Sequence, residues 1–207
     1  MRVLVVGSKG FIGAAVASRL RGCGHDVVGL SRRTLDIAKA TTPDAWRLHL
    51  RGIDAVIYCA GLLQESAQEL LGAVHADGPR ALFEACRQAA VRRVIHLSAL
   101  GVEREATPFA RTKLAGDRAL MASDLEWVIL RPSVVIGRSA YGGSALLRGL
   151  AALPLRPVLP QTGALQVVHL DDLLDTIVFF LQPAAPTRLV LEVVGPRSWA
   201  FDDRGSS

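Results

Sequence analysis

The amino-acid sequence predicts an α/β protein built on a doubly wound parallel sheet of the Rossmann kind, with a small C-terminal substrate lobe. A short apolar run at residues 3–6 leads directly into the glycine turn Gly7-Ser8-Lys9-Gly10-Phe11-Ile12-Gly13. Short apolar segments then alternate with helical patterns along the chain, as in α/β folds. The chain is 50% hydrophobic but only 5% aromatic, and such an aliphatic composition suits parallel strands that are buried on both faces.

The first predicted unit is a strand, a turn, a helix and a second strand. Ile12, Val16 and Leu20 recur at helical spacing after the glycine turn. The glycines of residues 22–24 are a typical helix stop. The unit therefore comprises a strand at residues 3–6, a helix at 11–21 and a strand at 26–30. Its length of about thirty residues is that of a βαβ unit.

The next stretch is short. It predicts a third strand at residues 34–37, followed by a helix at 42–50. Thr41 or Thr42 would be the N-cap of that helix, and Pro43 suits its first turn. Because few residues separate the second and third strands, we expect an abbreviated crossover between them.

The remaining elements continue the alternation. Strands are predicted at residues 55–59, 93–97, 127–130, 167–168 and 189–194, and helices at 69–90, 108–122, 144–153 and 171–181. The helix at 69–90 is interrupted near Asp77-Gly78-Pro79. After Pro132 the pattern loosens, so we expect one domain over residues 1–207 in which residues 133–207 contribute the substrate-side lobe.

The glycine turn predicts a dinucleotide-binding site. Glycines let the backbone approach phosphate groups closely, and a helix N-terminus supplies N–H donors and partial positive charge. The turn follows a predicted strand and opens a predicted helix, which is the context that gives this motif its meaning. The chain is therefore predicted to be an NAD(P)-binding Rossmann domain.

The end of the second strand favours NADP(H), with NAD(H) as the alternative. Sites that prefer NAD usually place an acidic residue there, whereas an arginine accommodates the 2′-phosphate of NADP. This chain has Arg32 and Arg33 after Ser31. The net charge of +5 and pI near 9.6 fit an anionic ligand, although a solvated basic surface is the better explanation of them. Because the arginines are dispersed and lack an aromatic stacking pattern, no nucleic acid is expected as a partner.

Several other classes are disfavoured by the composition. Cys23, Cys59 and Cys86 are widely spaced, which argues against a disulfide framework and a metal site. We therefore expect no bound metal. No long apolar stretch or signal-peptide pattern occurs, so we also expect no membrane span and a cytoplasmic location. The sequence also lacks the GxSxG motif of hydrolases.

Motifs along nearly the whole chain carry a family resemblance. They comprise Gly7, Gly10 and Gly13 and the segments 52–61, 94–101, 130–137 and 168–172. On these motifs the chain resembles the extended and atypical short-chain dehydrogenase/reductases, especially NAD(P)H-binding, epimerase-like bacterial members. It is also similar to the nucleotide-binding accessory subunit of respiratory complex I. Relatives continue into another helix beyond Pro196, so whether the native C-terminus is present stays open.

The resemblance implies roles by position. Asp36 and Ile37 match a pair that contacts adenine, and Lys113 matches the lysine that binds the nicotinamide ribose. The complete predicted cofactor-binding set is Gly7, Ser8, Lys9, Gly10, Phe11, Ile12, Ser31, Arg32, Arg33, Asp36, Ile37, Cys59, Ala60, Gly61, Leu97, Ser98, Lys113, Pro132, Ser133 and Val134. Asp171 and Asp172 are expected to cap and anchor the following helix rather than to act in chemistry.

The chain departs from the family where the proton donor is expected. A tyrosine usually stands four residues before the lysine, but here Phe109 precedes Lys113 and has no proton to give. The usual catalytic Ser or Thr falls on Leu100. Three explanations follow: binding without turnover, hydride transfer to an acceptor that needs no strong protein acid, or a proton from another group.

Residues on the expected substrate side are the alternative proton donors. They are Ser133, Arg138, Tyr141 and His169, and for each alone a structural or solvent role is the better explanation. The candidate catalytic residues are therefore Lys113, Ser98, Ser133 and Tyr141.

Two functional hypotheses result. The first is an NADP(H)-dependent oxidoreductase of the atypical short-chain type that transfers hydride to or from a carbonyl or quinone-like substrate. That substrate would be a small molecule, apolar or aromatic. The second is a non-catalytic NAD(P)H-binding regulatory or assembly module, which the phenylalanine favours. A homo-oligomer or a protein partner stays open in both.

Overall fold

Two sheets organise the protein. The computed structural model describes residues 1–62, 71–137, 165–196 and 198–199. The strands are β1 (Arg2–Val6), β2 (Asp26–Leu30), β3 (Ala55–Tyr58), β4 (Arg93–Leu97), β5 (Glu126–Pro132), β6 (Val134–Ile136), β7 (Leu165–His169), β8 (Leu189–Val193) and β9 (Ser198–Trp199). The main sheet has six parallel strands in the order β2-β1-β3-β4-β5-β8, and a second sheet has the order β6-β7-β9.

Helices cover both faces of the main sheet. They are α1 (Phe11–Gly22), α2 (Pro43–Arg47), α3 (Gly78–Gln88), α4 (Pro108–Met121) and α5 (Leu170–Phe180). A π-helical turn at Ala73–Asp77 leads directly into α3, and 3-10 turns lie at Leu48–Leu50 and Val102–Arg104. None of the helices in these parts of the chain is both long and apolar enough to cross a bilayer.

The core consists of two layers because successive strand residues point to opposite faces. Leu4 and Val6 of β1 join the layer under α2, α3 and α4, whereas Val3 and Val5 join the layer under α1 and α5. Trp46 is fully buried in the first layer, where its indole Nε1 donates to Ala40 O at 2.8 Å. The doubly wound architecture is therefore confirmed.

The strand order places the ligand crevice. The chain passes from β1 to β2 on one side and then to β3 on the other side of β1. In open parallel sheets, ligands bind outside the carboxyl ends of the strands where the winding direction reverses. In this protein that position lies between the ends of β1 and β3, directly beside the glycine turn.

Most predicted elements agree with the structure within one or two residues. At the predicted interruption of the helix at 69–90, the chain forms the π turn Ala73–Asp77 and continues directly into α3 without a break. The helix predicted at 42–50 divides into α2 and the following 3-10 turn, and Thr42 is its N-cap by position, without a side-chain capping bond. The helix predicted at 144–153 lies outside the described residues. The substrate-side role of residues 133–207 stays a prediction, although β8 joins the main sheet within that stretch.

The strand predicted at residues 34–37 is wrong. This segment forms turns because its side chains bond to the nearby backbone. Thr34 Oγ1 accepts from Ser31 N at 2.9 Å and donates to Ser31 O at 2.8 Å. Asp36 Oδ1 accepts from Ala38 N at 3.2 Å. These short-range bonds close the chain into turns, so β2 is an edge strand of the main sheet.

Candidate functional site

The glycine turn packs tightly against two neighbouring backbone segments. Gly7 has φ +83°, and a Cβ there would lie 2.8 Å from Ala60 N. A Cβ on Gly13 would lie 2.2 Å from Gly7 O. Real Cβ atoms do not approach backbone that closely, so these two positions admit no side chain. The turn therefore brings the start of α1 against the segment that follows β3.

The start of α1 has the features of an anion site. Gly10 is the N-cap and makes no side-chain capping bond, and no acidic residue lies in the first turn. Helix N-terminal N–H groups in this state bind phosphate well. Lys9 is exposed beside them. Ser8 points the other way: its Oγ donates to Leu30 O at 3.0 Å, and its N donates to the same oxygen. Ser8 thus joins the turn to β2.

The turns after β2 place two cations next to the glycine turn. Arg32 and Arg33 are exposed, and no hydrogen bond or ion pair links either guanidinium to a described residue. Asp36 caps its own turn, and its Oδ2 lies 3.9 Å from Lys39 Nζ. Ile37 packs against α3, because a Cβ on Gly78 would lie 2.7 Å from Ile37 Cγ2. The predicted adenine end is therefore built by this segment and the start of α3.

The segment after β3 joins the glycine turn to α4. Cys59 N donates to Val6 O at 2.9 Å, and Ala60 contacts Gly7. Gly61 lies at the far end of this segment, where a Cβ would be 3.3 Å from Lys113 Nζ and 3.6 Å from His75 Nε2. The predicted diphosphate-lining residues thus connect the phosphate end of the site to the lysine.

Lys113 is a buried cation at the carboxyl end of β4. Its residue is 5% exposed, and Nζ donates to Leu97 O at 2.9 Å. Burial lowers the pKa of the ammonium to about 8, although the negative charge of Asp117 opposes the shift. Burial also raises the pKa of the Cys59 thiol to about 12. Near neutral pH the site therefore holds an ammonium of weakened proton affinity beside a neutral thiol.

His75 occupies the π turn and is a satisfied core histidine, as the sequence predicts. Its Nε2 accepts from Leu62 N at 3.0 Å, so Nδ1 carries the proton and donates to Thr112 Oγ1 at 3.0 Å. Burial lowers its pKa to about 3. The imidazole meets the Phe109 ring edge to face, with centroids 5.3 Å apart. His75 thus links the segment after β3 to α4.

A buried charge network underlies the site, and the sequence reasoning missed it. Ser98 Oγ donates to Asp117 Oδ2 at 2.9 Å, and Arg131 donates to the same oxygen through Nε and Nη2. Arg131 also pairs with Glu103. His96 Nε2 lies 3.3 Å from Asp117 Oδ1 without forming a hydrogen bond. Phe109, Lys113 and Asp117 are spaced by four residues and therefore share one face of α4. This spacing is the sequence signal that indicates a connection between Asp117 and the site.

The segment after β5 supplies the remaining predicted contacts. Ser133 N donates to Val193 O at 3.0 Å, while Ser133 Oγ is buried and has no hydrogen-bond partner among the described residues. Pro132 O accepts from Leu100 N, and Val134 pairs with Val167 in the second sheet. A buried hydroxyl without a partner fits a ligand group at this position. Arg138 and Tyr141 lie outside the described residues.

The start of α5 is held by His169 and an ion-pair cluster. His169 Nδ1 accepts from Asp171 N at 3.3 Å, so the histidine is the N-cap in place of the aspartates. Asp171 and Asp175 pair with Arg19 of α1. A cleft of about 640 Å³ opens between these two helices beside Lys9. Lys113 is not among its lining residues, so the cleft is separate from the buried lysine.

The fold and the site define a dinucleotide-binding α/β protein. The chain belongs to the NAD dependent epimerase/dehydratase family, whose sequence pattern matches residues 3–190. The resemblance to extended short-chain dehydrogenase/reductases is thus confirmed. Within the described residues, no group of three His, Cys, Asp or Glu side chains could hold a metal ion.

Named relatives include two reductases. The ceramide reductase of Caulobacter vibrioides is 30% identical in an alignment of 190 positions that covers 86% of this chain and 60% of that protein. A dTDP-4-dehydrorhamnose reductase of Mycolicibacterium smegmatis is 32% identical in an alignment of 171 positions that covers 73% of this chain and 51% of that protein. The chain thus spans between about half and three fifths of the length of these relatives.

Solved structures share the fold. MoeE5 in complex with UDP-glucuronic acid and NAD superposes with a TM-score of 0.81 at 24% identity, covering 96% of this chain and 78% of that one. A dTDP-4-dehydrorhamnose reductase from Bacillus anthracis in complex with NADP has a TM-score of 0.77 at 16% identity, covering 97% and 76%. These structural neighbours bind NAD or NADP.

Proposed function

We propose that this protein is an NADP(H)-dependent oxidoreductase that transfers hydride to or from a small, apolar or aromatic carbonyl or quinone-like substrate. The observation that carries the proposal is Lys113. A buried ammonium opposes stability, yet this one lies against Gly61, at the end of the segment that begins beside the glycine turn. Strongly perturbed ionisable groups of this kind cluster at functional sites.

The residues present fit a dinucleotide. Gly7 and Gly13 admit no side chain, and the first turn of α1 has no side-chain cap, which leaves a cradle for phosphate. Arg32 and Arg33 supply positive charge for a 2′-phosphate, and this supports NADP(H) over NAD(H). The reduced cofactor supplies the hydride when it is bound. Lys113 would hold the ribose end, and the buried Ser133 Oγ, which has no hydrogen-bond partner among the described residues, would offer a hydrogen bond to a bound ligand.

The names of the relatives support the oxidoreductase class. The ceramide reductase and the dTDP-4-dehydrorhamnose reductase are both named for reductions, and each matches most of this chain. Phe109 presents an apolar ring where the family places a phenol, and this favours an apolar or aromatic acceptor over a charged one.

A second function competes because the usual acid is replaced. Phe109 stands where the family places a tyrosine, and Leu100 stands where it places a hydroxyl. These two residues favour a non-catalytic module in which bound NAD(P)H stabilises a surface for a protein partner. The glycine turn serves both functions equally, so only turnover separates them.

Turnover is tested with purified protein, NADPH and a panel of quinones, aliphatic aldehydes and aromatic aldehydes. NADPH binding is followed by its fluorescence, and oxidation by the loss of nicotinamide absorbance. The oxidoreductase proposal expects oxidation with at least one acceptor class. Tight NADPH binding without oxidation by any member of the panel would support the non-catalytic module instead.

A further inference from the structure

The face of α4 that carries Lys113 has one side chain that can release a proton. Phe109, Lys113 and Asp117 follow each other at intervals of four residues on α4 and so share a face. Phe109 has no proton to give. Asp117 is an acceptor for Ser98 and Arg131. Of these three side chains, only the ammonium of Lys113 can donate.

The protons of the other polar groups around Lys113 either form hydrogen bonds within the protein or belong to a group that is too weak an acid. His75 Nε2 accepts from Leu62 N, and its Nδ1 proton goes to Thr112. The Ser98 proton goes to Asp117. The Cys59 thiol is too weak an acid, because burial raises its pKa to about 12. Within the parts of the chain that the structure describes, these neighbours leave Lys113 as the available donor.

The ammonium has N–H groups to spare. Lysine carries three donors, and Leu97 O takes one of them. No ion pair links Nζ to a described carboxylate, since Asp117 is held by Arg131. Nζ also lies against Gly61, where the absence of a side chain keeps it at the segment that is predicted to line the cofactor.

We infer that Lys113 itself, in place of a tyrosine, donates the proton when this site reduces a carbonyl compound. The inference rests on the proposed function. The carbonyl carbon accepts hydride from the reduced dinucleotide, and a C–H bond forms while the C=O π bond breaks toward oxygen. That oxygen takes a proton from Nζ, which becomes a neutral amine and regains a proton from water. The substrate is reduced, and the nicotinamide is oxidised.

The electrostatics support this role. A general acid works best when its pKa lies near the working pH, and burial lowers the pKa of Lys113 to about 8. The charged and titratable groups that face it are Cys59 from the segment after β3, His75 from the π turn, His96 from β4, Asp117 from α4 and, through Asp117, Arg131 from β5. Burial lowers the pKa of both histidines, so neither is a competing cation at neutral pH.

The first test reads the proton affinity without turnover. The sequence contains only three lysines, Lys9, Lys39 and Lys113, so protein labelled with ε-¹³C-lysine gives three resolvable side-chain signals. In protein saturated with NADP⁺, Lys113 is expected to titrate near pH 8, well below the pKa of about 10.4 of an unperturbed lysine side chain. Titration of Lys113 at pH 10 or above would overturn the inference.

The second test separates acceptors that need a protein acid from those that do not. Lys113→Arg keeps the positive charge but cannot release a proton in this pH range. We expect aldehyde reduction to fall by about 100-fold or more, because general acids contribute about 10²–10⁴ in rate. Quinone reduction, whose product can take its proton from water, is expected to fall at least about tenfold less than aldehyde reduction, when both are measured at saturating NADPH. Wild-type aldehyde reduction is expected to slow as pH rises above 8.

Each result decides for or against the inference. Equal losses of aldehyde and quinone reduction would make Lys113 a ribose-positioning residue only and overturn it. An unchanged pH profile in Lys113→Arg would do the same. A gain of about 100-fold in Phe109→Tyr, but not in Phe109→Leu, would show that wild type lacks an acid. If wild type oxidises NADPH with no acceptor, the proposed function fails, and the role of Lys113 fails with it.

Discussion

Replacing Lys113 by methionine should stabilise the protein at neutral pH. The ammonium is held in a buried position where its pKa is about 8 instead of 10.5. That difference corresponds to about 3 kcal/mol of unfavourable ionisation in the folded state at pH 7. Methionine avoids this cost but leaves Leu97 O without its donor, a loss of about 1 kcal/mol. We therefore expect a net gain of about 2 kcal/mol in the free energy of unfolding.

The pH dependence gives the sharper check. Between pH 8 and 10.5 the unfolded chain binds more protons at this lysine than the folded chain does, so wild-type stability rises with pH relative to the variant. By pH 10 the ionisation cost falls below about 1 kcal/mol, and the two proteins should be equally stable. Urea unfolding followed by tryptophan fluorescence at pH 7 and pH 10 measures both differences.

A matched control is available on the surface. Lys39→Met removes a side chain that is 86% exposed and should change stability by less than about 0.5 kcal/mol at either pH. A Lys113→Met protein that is less stable than wild type by the same amount at both pH values would refute the reasoning. It would mean that the ammonium is well solvated or paired in the folded protein.

Three further predictions address the cofactor site and the buried network. Replacing Arg32 and Arg33 together by alanine should weaken NADPH binding by about 10-fold or more and leave NADH binding almost unchanged. The reason is that hydrogen bonds to charged groups contribute about 1.5–3 kcal/mol. Unchanged selectivity between NADPH and NADH in fluorescence titrations would exclude a role of the two arginines. Gly13→Ala should lower the urea midpoint and abolish NADPH binding because its Cβ would lie 2.2 Å from a backbone oxygen, whereas Gly22→Ala in the same helix meets nothing within 4 Å and should fold normally. Asp117→Asn should destabilise the protein by about 3–5 kcal/mol because it removes the buried carboxylate that pairs with Arg131 and leaves that guanidinium only the more exposed Glu103, and a loss below about 1 kcal/mol would argue against the importance of the Asp117 pair.

The elements that the sequence predicts well are those whose residues alone decide their structure. β1 from Val3 onward and β3 are short apolar runs of the kind that form buried strands, and α1 has regular helical spacing after its glycines. The failure at residues 34–37 has a local cause. Thr34 has the β-branched side chain of a strand residue, but its hydroxyl bonds twice to Ser31 and closes a turn. Propensity averaged over a window does not capture such a bond.

The sequence predicts the backbone part of the site, the glycine turn, better than it predicts the side-chain network around Asp117. The glycines of the phosphate cradle follow from the motif, because the geometry allows no other residue there. The network of Asp117 and Arg131 joins α4 to β5, and its partners are 14 residues apart in sequence. No local pattern pairs them. Once α4 is assigned, however, Asp117 falls on the face of Lys113, and a buried acid there requires a cation.

The glycine turn and Lys113 also differ in their effect on the stability of the fold. The glycine turn is compatible with a stable fold, since its backbone bonds are made by β2 and α1 themselves. Lys113 is not, because its charge is unfavourable where it lies, and a methionine would fit the same fold at lower cost. A residue that opposes folding while no described carboxylate pairs with it is best explained by use at the site. With Phe109 unable to share that task, stability and turnover should respond to Lys113 in opposite directions. Lys113→Met should thus raise the urea midpoint at pH 7 and abolish aldehyde reduction in the same preparation.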